Sequence, residues 1–170
     1  MPKPLDPATA RERALGVALR ALVRGPRTRG EIESALVRRG YGEETIAAVT
    51  ARLAEIGYLD DALVADAVTR GAERKHHGSR RIALTLGRRG VSRDVVEQTA
   101  RATGAGDLER ARAFLARRFP GGLAAADRFE RQRATRLLLA RGFPGDVVRK
   151  ALGIDVDIDG AAEPGHDDEP

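Results

Sequence analysis

The apolar residues of this chain fall repeatedly on one face of a helix, in three successive copies. Ile32, Ala35 and Leu36 stand at i, i+3 and i+4, and Ile82 and Leu86 repeat that face. This spacing marks an amphipathic helix. A further helical stripe precedes each copy: Leu15, Leu19, Leu22 and Val23, then Leu63, Val64, Ala67 and Val68, then Leu108, Ala111, Leu115 and Phe119. Gly25-Pro26, His77-Gly78-Ser79 and Pro120-Gly121-Gly122 separate the stripes, as chain-breaking residues do. Nowhere is there the period-two alternation of a strand.

Three ungapped stretches correspond: Ile32 to Tyr41, Ile82 to Val91 and Ala134 to Phe143. Each contains an Arg-Gly-apolar step, and the glycines Gly40, Gly90 and Gly142 lie 50 and 52 residues apart. Six residues after each glycine comes Ile46, Val96 or Val148. Glycine accepts the left-handed conformation that closes a helix, and a preceding cation suits the negative helix end. Gly42, Ser92 and Pro144-Gly145 then open a new helix with an acidic residue in its first turn, and Thr28 and Glu31 have capping-box spacing. The pattern predicts an all-α chain of three tandem three-helix repeats, over residues 9–56, 60–103 and 107–152, stacked into an elongated, curved body.

Charge changes this picture at one end. Seven acidic residues and no Lys or Arg lie from Asp155 onward, which leaves the preceding body with 30 basic against 18 acidic residues, a net +12 within an overall +5. Residues 155–170, without helical periodicity, are expected to be a disordered acidic tail, and Met1 to Pro7 are expected to be disordered too. A body this basic attracts polyanions or a partner with an acidic face. Its cations are arginines apart from Lys3, Lys75 and Lys150, and Arg suits bidentate contact to phosphate or carboxylate. If the tail competes with DNA for the body, its removal tightens DNA binding.

Adjacent arginines on a helix diverge by roughly 100°, so at least one of each pair faces solvent. Arg38, Arg39, Arg80, Arg81, Arg88, Arg89, Arg131, Arg133 and Arg136 are the candidate partner- or DNA-binding residues. Arg117-Arg118 is a further pair. An ordinary solvated surface is the competing explanation, and helix capping competes at Arg39, Arg89 and Arg141.

Other chemistry finds little support. There is no cysteine, hence no disulfide framework or thiolate metal site, in keeping with a reducing, cytoplasmic setting. No apolar run is long enough for a membrane span. His76 and His77 are adjacent, which rules out the i, i+4 zinc pair and leaves them as a helix end. Asp155 to Gly160 matches half of a calcium loop, but His166 stands where the bidentate Glu is required. Tyr41 and Tyr58 occupy apolar turn positions and are expected in the core. With no nucleophile elbow or phosphate loop, the chain reads as a binding protein with no cofactor, not an enzyme.

An ordered set of motifs resembles the RecX family, regulators of the RecA recombinase. It comprises Gly57-Tyr58-Leu59-Asp60-Asp61, then Ala65, Arg74-Lys75, Gly78, Arg81-Ile82, Leu86 and Arg89-Gly90-Val91, then Arg131-Gln132-Arg133, Leu137-Leu138-Leu139 and Arg141-Gly142-Phe143. The resemblance covers about Leu15 to Leu152. Val64 departs from it, since an aromatic is usual there, and a thinner core contact is expected. The acidic tail departs as well. The resemblance implies three three-helix repeats, binding to the RecA nucleoprotein filament, restraint of strand exchange and ATP hydrolysis, a role in DNA repair and recombination, and weaker binding to single- and double-stranded DNA. It implies no catalytic residues. A monomer is expected. The rival reading is a helix-turn-helix transcription regulator, for which the Arg-Gly turns are superficially suited.

Overall fold

The computed structural model describes residues 6–123 and 127–154. The acidic tail, its half calcium loop and residues 1–5 lie outside them. Among the described residues there are nine helices and no strand: α1 (Pro7–Leu22), α2 (Arg29–Val37), α3 (Glu43–Glu55), α4 (Asp61–Arg74), α5 (Ser79–Arg88), α6 (Arg93–Gly104), α7 (Asp107–Arg118), α8 (Arg128–Ala140) and α9 (Gly145–Ala151). Pro7, expected in a disordered leader, instead opens α1, and the Asp6 side chain caps that helix by accepting from the Ala8 and Thr9 amides. Proline's missing N–H costs nothing in a first turn.

Each run of three helices encloses its own core. Ala14, Ala18, Ile32, Leu36, Ile46, Val49 and Leu53 form the first. Val64, Ala65, Ala72, Ile82, Leu86 and Val91 form the second. Ala111, Phe114, Leu115, Ala134, Leu138, Phe143 and Val148 form the third. The corresponding residues Leu36, Leu86 and Leu138 are all fully buried. Val64 is buried as well, with 0% of its surface exposed. Tyr41 packs on the first core. Tyr58 does not: it is 52% exposed in the α3–α4 turn, beside Leu19, Leu22, Val23 and Leu63.

The middle helix of each module ends in the same way. The amides of Tyr41, Val91 and Phe143 reach back to the carbonyls of Leu36, Leu86 and Leu138, with Gly40, Gly90 and Gly142 at φ of 79°, 78° and 82°. This closure needs a left-handed residue at the turn.

The junctions between modules also repeat. The start of one middle helix meets the closing turn of the next. Thr28, the capping residue of α2, donates its hydroxyl to the Arg89 carbonyl at 2.8 Å, and the Gly78 amide, capping α5, donates to the Arg141 carbonyl at 2.9 Å. The second junction is a backbone-on-backbone contact: a Cβ on Gly78 would lie 2.4 Å from the Gly142 carbonyl oxygen. Here Asp107, fully buried at the start of α7, accepts from the Ser79 amide and, at 2.6 Å, from its hydroxyl. This carboxylate from the third module caps a helix of the second whose own Gly78 has no side chain to do so.

α8 departs from the pattern. Its cap is Asp127, so it starts one turn earlier than the repeat predicts, and Arg133 stands where α2 has Glu31. The docking edge formed by the starts of α2 and α5 is therefore not reproduced at the start of α8.

Candidate partner-binding face

The candidate arginines lie on α2, α5, α8 and their closing turns, the part of each module that also builds the junctions. The structure sorts them into three groups. Arg38, Arg39, Arg88 and Arg89 meet in a recess of about 660 Å³ between the first and second modules, together with Arg24, Arg27 and Glu31. Arg80, Arg81 and Arg88 line a second recess, of about 320 Å³, between α5 and the end of α8. Arg88 borders both, so the two recesses adjoin. Arg131, Arg133 and Arg136 line neither. Arg133 and Arg136 are exposed on α8, while Arg131 is half-buried and engaged within the protein.

The side chains within these recesses are committed to different degrees. Arg89 points inward. Its Nε and Nη2 donate to the two carboxylate oxygens of Glu31, each at 2.8 Å, and Nη2 also donates to the Pro26 carbonyl at 2.9 Å. The Arg89 hydrogen bond holds the Glu31 carboxyl below its ordinary range, against the opposing effect of burial. The same bond raises the Arg89 guanidinium. Arg81 donates to the Ala140 carbonyl at 3.0 Å across the second junction. Arg39 donates back to the Ala35 carbonyl in its own helix at 3.2 Å, and remains exposed. Arg38, Arg80 and Arg88 are exposed, and none of the ion pairs among the described residues involves them.

The recess near α2 therefore holds six guanidiniums against one carboxylate, and that carboxylate is already paired. Such a surface favours phosphate or carboxylate groups from a partner. Arg24 and Arg27 flank the Gly25-Pro26 break and were not among the expected residues. Their position beside a module boundary was the available signal. Arg141 echoes Arg89: it closes α8, donates to the Lys75 carbonyl at 2.5 Å and covers the Phe114 ring at 4.0 Å.

Comparison with known proteins places this architecture. Residues 14–53 match the model of the first three-helix domain of RecX, residues 60–99 that of the second and residues 106–152 that of the third. The chain belongs to the RecX family. The regulatory protein RecX of Halorhodospira halophila is 36% identical over 146 residues, covering 86% of this chain and 90% of its relative. That of Deinococcus radiodurans is 34% identical over 155 residues, covering 89% and 74%. The crystal structure of RecX from Lactobacillus salivarius superposes with a TM-score of 0.73 at 22% identity, over 86% of this chain and 96% of that one. At that identity the likeness speaks for the fold. In this RecX-family chain no described helix is long and apolar enough to cross a membrane, and no described cluster of His, Asp or Glu could hold a metal.

Proposed function

We propose that this protein regulates RecA by binding along its nucleoprotein filament and slowing strand exchange and ATP hydrolysis, acting as a cytoplasmic binding protein in DNA repair and recombination and not as an enzyme. The observation that carries this reading is the run of exposed, unpaired arginines Arg38, Arg80 and Arg88 across two module junctions, in a chain whose relatives are regulatory proteins. A linear array with cations at regular intervals can contact a periodic partner at several points at once. Several weak contacts joined in one chain give high avidity. Bridging neighbouring subunits would oppose the shape changes of nucleotide turnover.

The partner-binding residues in this reading are Arg38, Arg39, Arg80, Arg81, Arg88, Arg133 and Arg136. Arg89 shapes the recess through Glu31, and Arg131 supports α8. DNA, single- or double-stranded, is a weaker ligand than RecA. The chain acts as a monomer, in line with the altered start of α8. A helix-turn-helix transcription regulator has less support. The α2 and α5 starts are used for packing modules together, whereas a recognition helix presents its N-terminal residues to bases.

The test is an ATPase titration of preformed RecA filaments on single-stranded DNA. Turnover should fall to a plateau as the protein is added. Turnover that stays constant up to a large excess would remove the proposal.

A further inference from the structure

Among the helices that close on a left-handed residue, one does not use glycine. α2, α3, α5, α8 and α9 each close with a left-handed glycine: Gly40, Gly57, Gly90, Gly142 and Gly153, at φ between 66° and 82°. α4 closes with the same hydrogen bonds, since the His77 amide reaches the Ala72 carbonyl and the His76 amide the Glu73 carbonyl. The residue in the left-handed position is His76, at φ 51°, the one described non-glycine residue with a positive φ. A side chain there costs backbone energy that glycine does not. Strain kept at a single position points to a use for that side chain.

The surroundings show what the use is. Arg74, Lys75, His76 and His77 face Arg117, Arg118, Phe114 and Arg141 across a recess of about 420 Å³ with no carboxylate in its wall. None of its five cations takes part in an ion pair among the described residues. The nearest acid on α4, Glu73, lies 3.7 Å from Arg110 instead. The cations are held apart and in place by the protein. Arg117 Nη1 sits 3.3 Å from His76 Nε2; a guanidinium only donates, so Nε2 accepts. Arg141 is fixed by the Lys75 carbonyl and the Phe114 ring. Burial, then the charges of Arg81, Arg141 and Lys75, disfavour protonation of His77, and Arg141 is pushed the same way by burial and Arg81. The recess is a cluster of positive charge with no carboxylate in its lining.

We propose that the α4–α5 turn and the end of α7 form a phosphate-binding site, occupied by the phosphodiester backbone of single-stranded nucleic acid, with His76, Lys75, Arg117 and Arg141 around the phosphate. The backbone is favoured over a free nucleotide because the recess has no ring for a base to stack on: Phe114 is buried and Arg141 already covers it. None of these residues lines the two recesses of the middle helices. The recess is therefore lined by other residues than that face.

The test uses the full chain and a fluorescent single-stranded oligonucleotide at low salt, without RecA. K75A/R117A should weaken binding about 5-fold or more and make the slope of log K against log salt shallower by roughly 0.7 to 1.4, as expected for the loss of one or two phosphate contacts. R101A/R112A removes the same charge from exposed positions elsewhere and should change binding less than 2-fold, by about 1.5-fold. His76→Gly should raise Tm by about 2 °C through release of the strained turn, and yet weaken binding. A residue with only a structural role would not separate the two. Equal effects of the two double variants, or H76G binding like the parent chain, would overturn the site. Titration with ATP distinguishes the phosphate source: saturable ATP binding lost in K75A/R117A, with oligonucleotide binding unchanged, would overturn the nucleic-acid assignment.

Discussion

Arg89 and Glu31, 58 residues apart in the chain, form a two-bonded ion pair that ties the closing turn of α5 to the first turn of α2. Glu31 also completes the capping box with Thr28. One carboxylate therefore both starts a helix and anchors the next module. Glu31→Gln should cost about 1.5–3 kcal/mol, the usual range for a hydrogen bond to a charged group. The pH dependence follows from the direction of the shift. Glu31 ionises more readily in the folded chain than at its ordinary value of 4.5. The pair's contribution is then complete above that value and lost as pH falls through the lower folded one. Urea melts of the parent and E31Q chains should differ by a constant amount near neutral pH and converge in acid. A gap that widens on acidification would contradict this.

The Gly78–Gly142 contact makes a second prediction, because its cost can be separated from ordinary turn strain. Gly90 has a left-handed φ of 78° and open space around it, while a Cβ on Gly78 would strike the Gly142 backbone at 2.4 Å. Gly90→Ala should cost about 1–2 kcal/mol, the penalty for a left-handed residue. Gly78→Ala should cost about 3 kcal/mol and loosen the third module from the second. Hydrogen exchange should show faster opening across α7 to α9 in G78A and not in G90A. Identical patterns would mean that the junction is not held by this contact.

The repeat and its helices were legible in the sequence because burial imposes a period. Leu36, Leu86 and Leu138 recur because each fills the same hole, and Gly40, Gly90 and Gly142 because each closes the same turn. The candidate face was only partly legible. Arg88 and Arg89 were both candidate contacts in sequence, with helix capping competing at Arg89; in the structure Arg89 is spent on Glu31 across the junction and Arg88 is exposed. Asp107 gave no signal, since its partner Ser79 lies 28 residues away. Tyr58 went the other way from expectation because it lies in the α3–α4 turn and not on a packed helix face. His76 read as a plain helix end, since a backbone angle leaves no trace in composition.

The acidic residues from Asp155 onward lower the chain's net charge from +12 on the body to +5 overall. Tethered acids reach a high effective concentration at the arginines. Removal of residues 155–170 should tighten DNA binding at low salt by several-fold, and the gain should fade as salt screens the charges. Equal affinity of the full and shortened chains at low salt would show that the tail does not compete.

The central claim is that exposed arginines on the middle helices hold an extended partner at several points. Its most direct test is the affinity of an R38E/R80E/R88E chain for preformed RecA filaments, with helix content checked by circular dichroism. These three side chains pair with no described carboxylate, so the fold should persist. Filament affinity should fall by at least about 100-fold, and inhibition of ATP hydrolysis with it, since reversing three contacts at ~1 kcal/mol or more each compounds. A folded variant that binds and inhibits as the parent does would contradict the account.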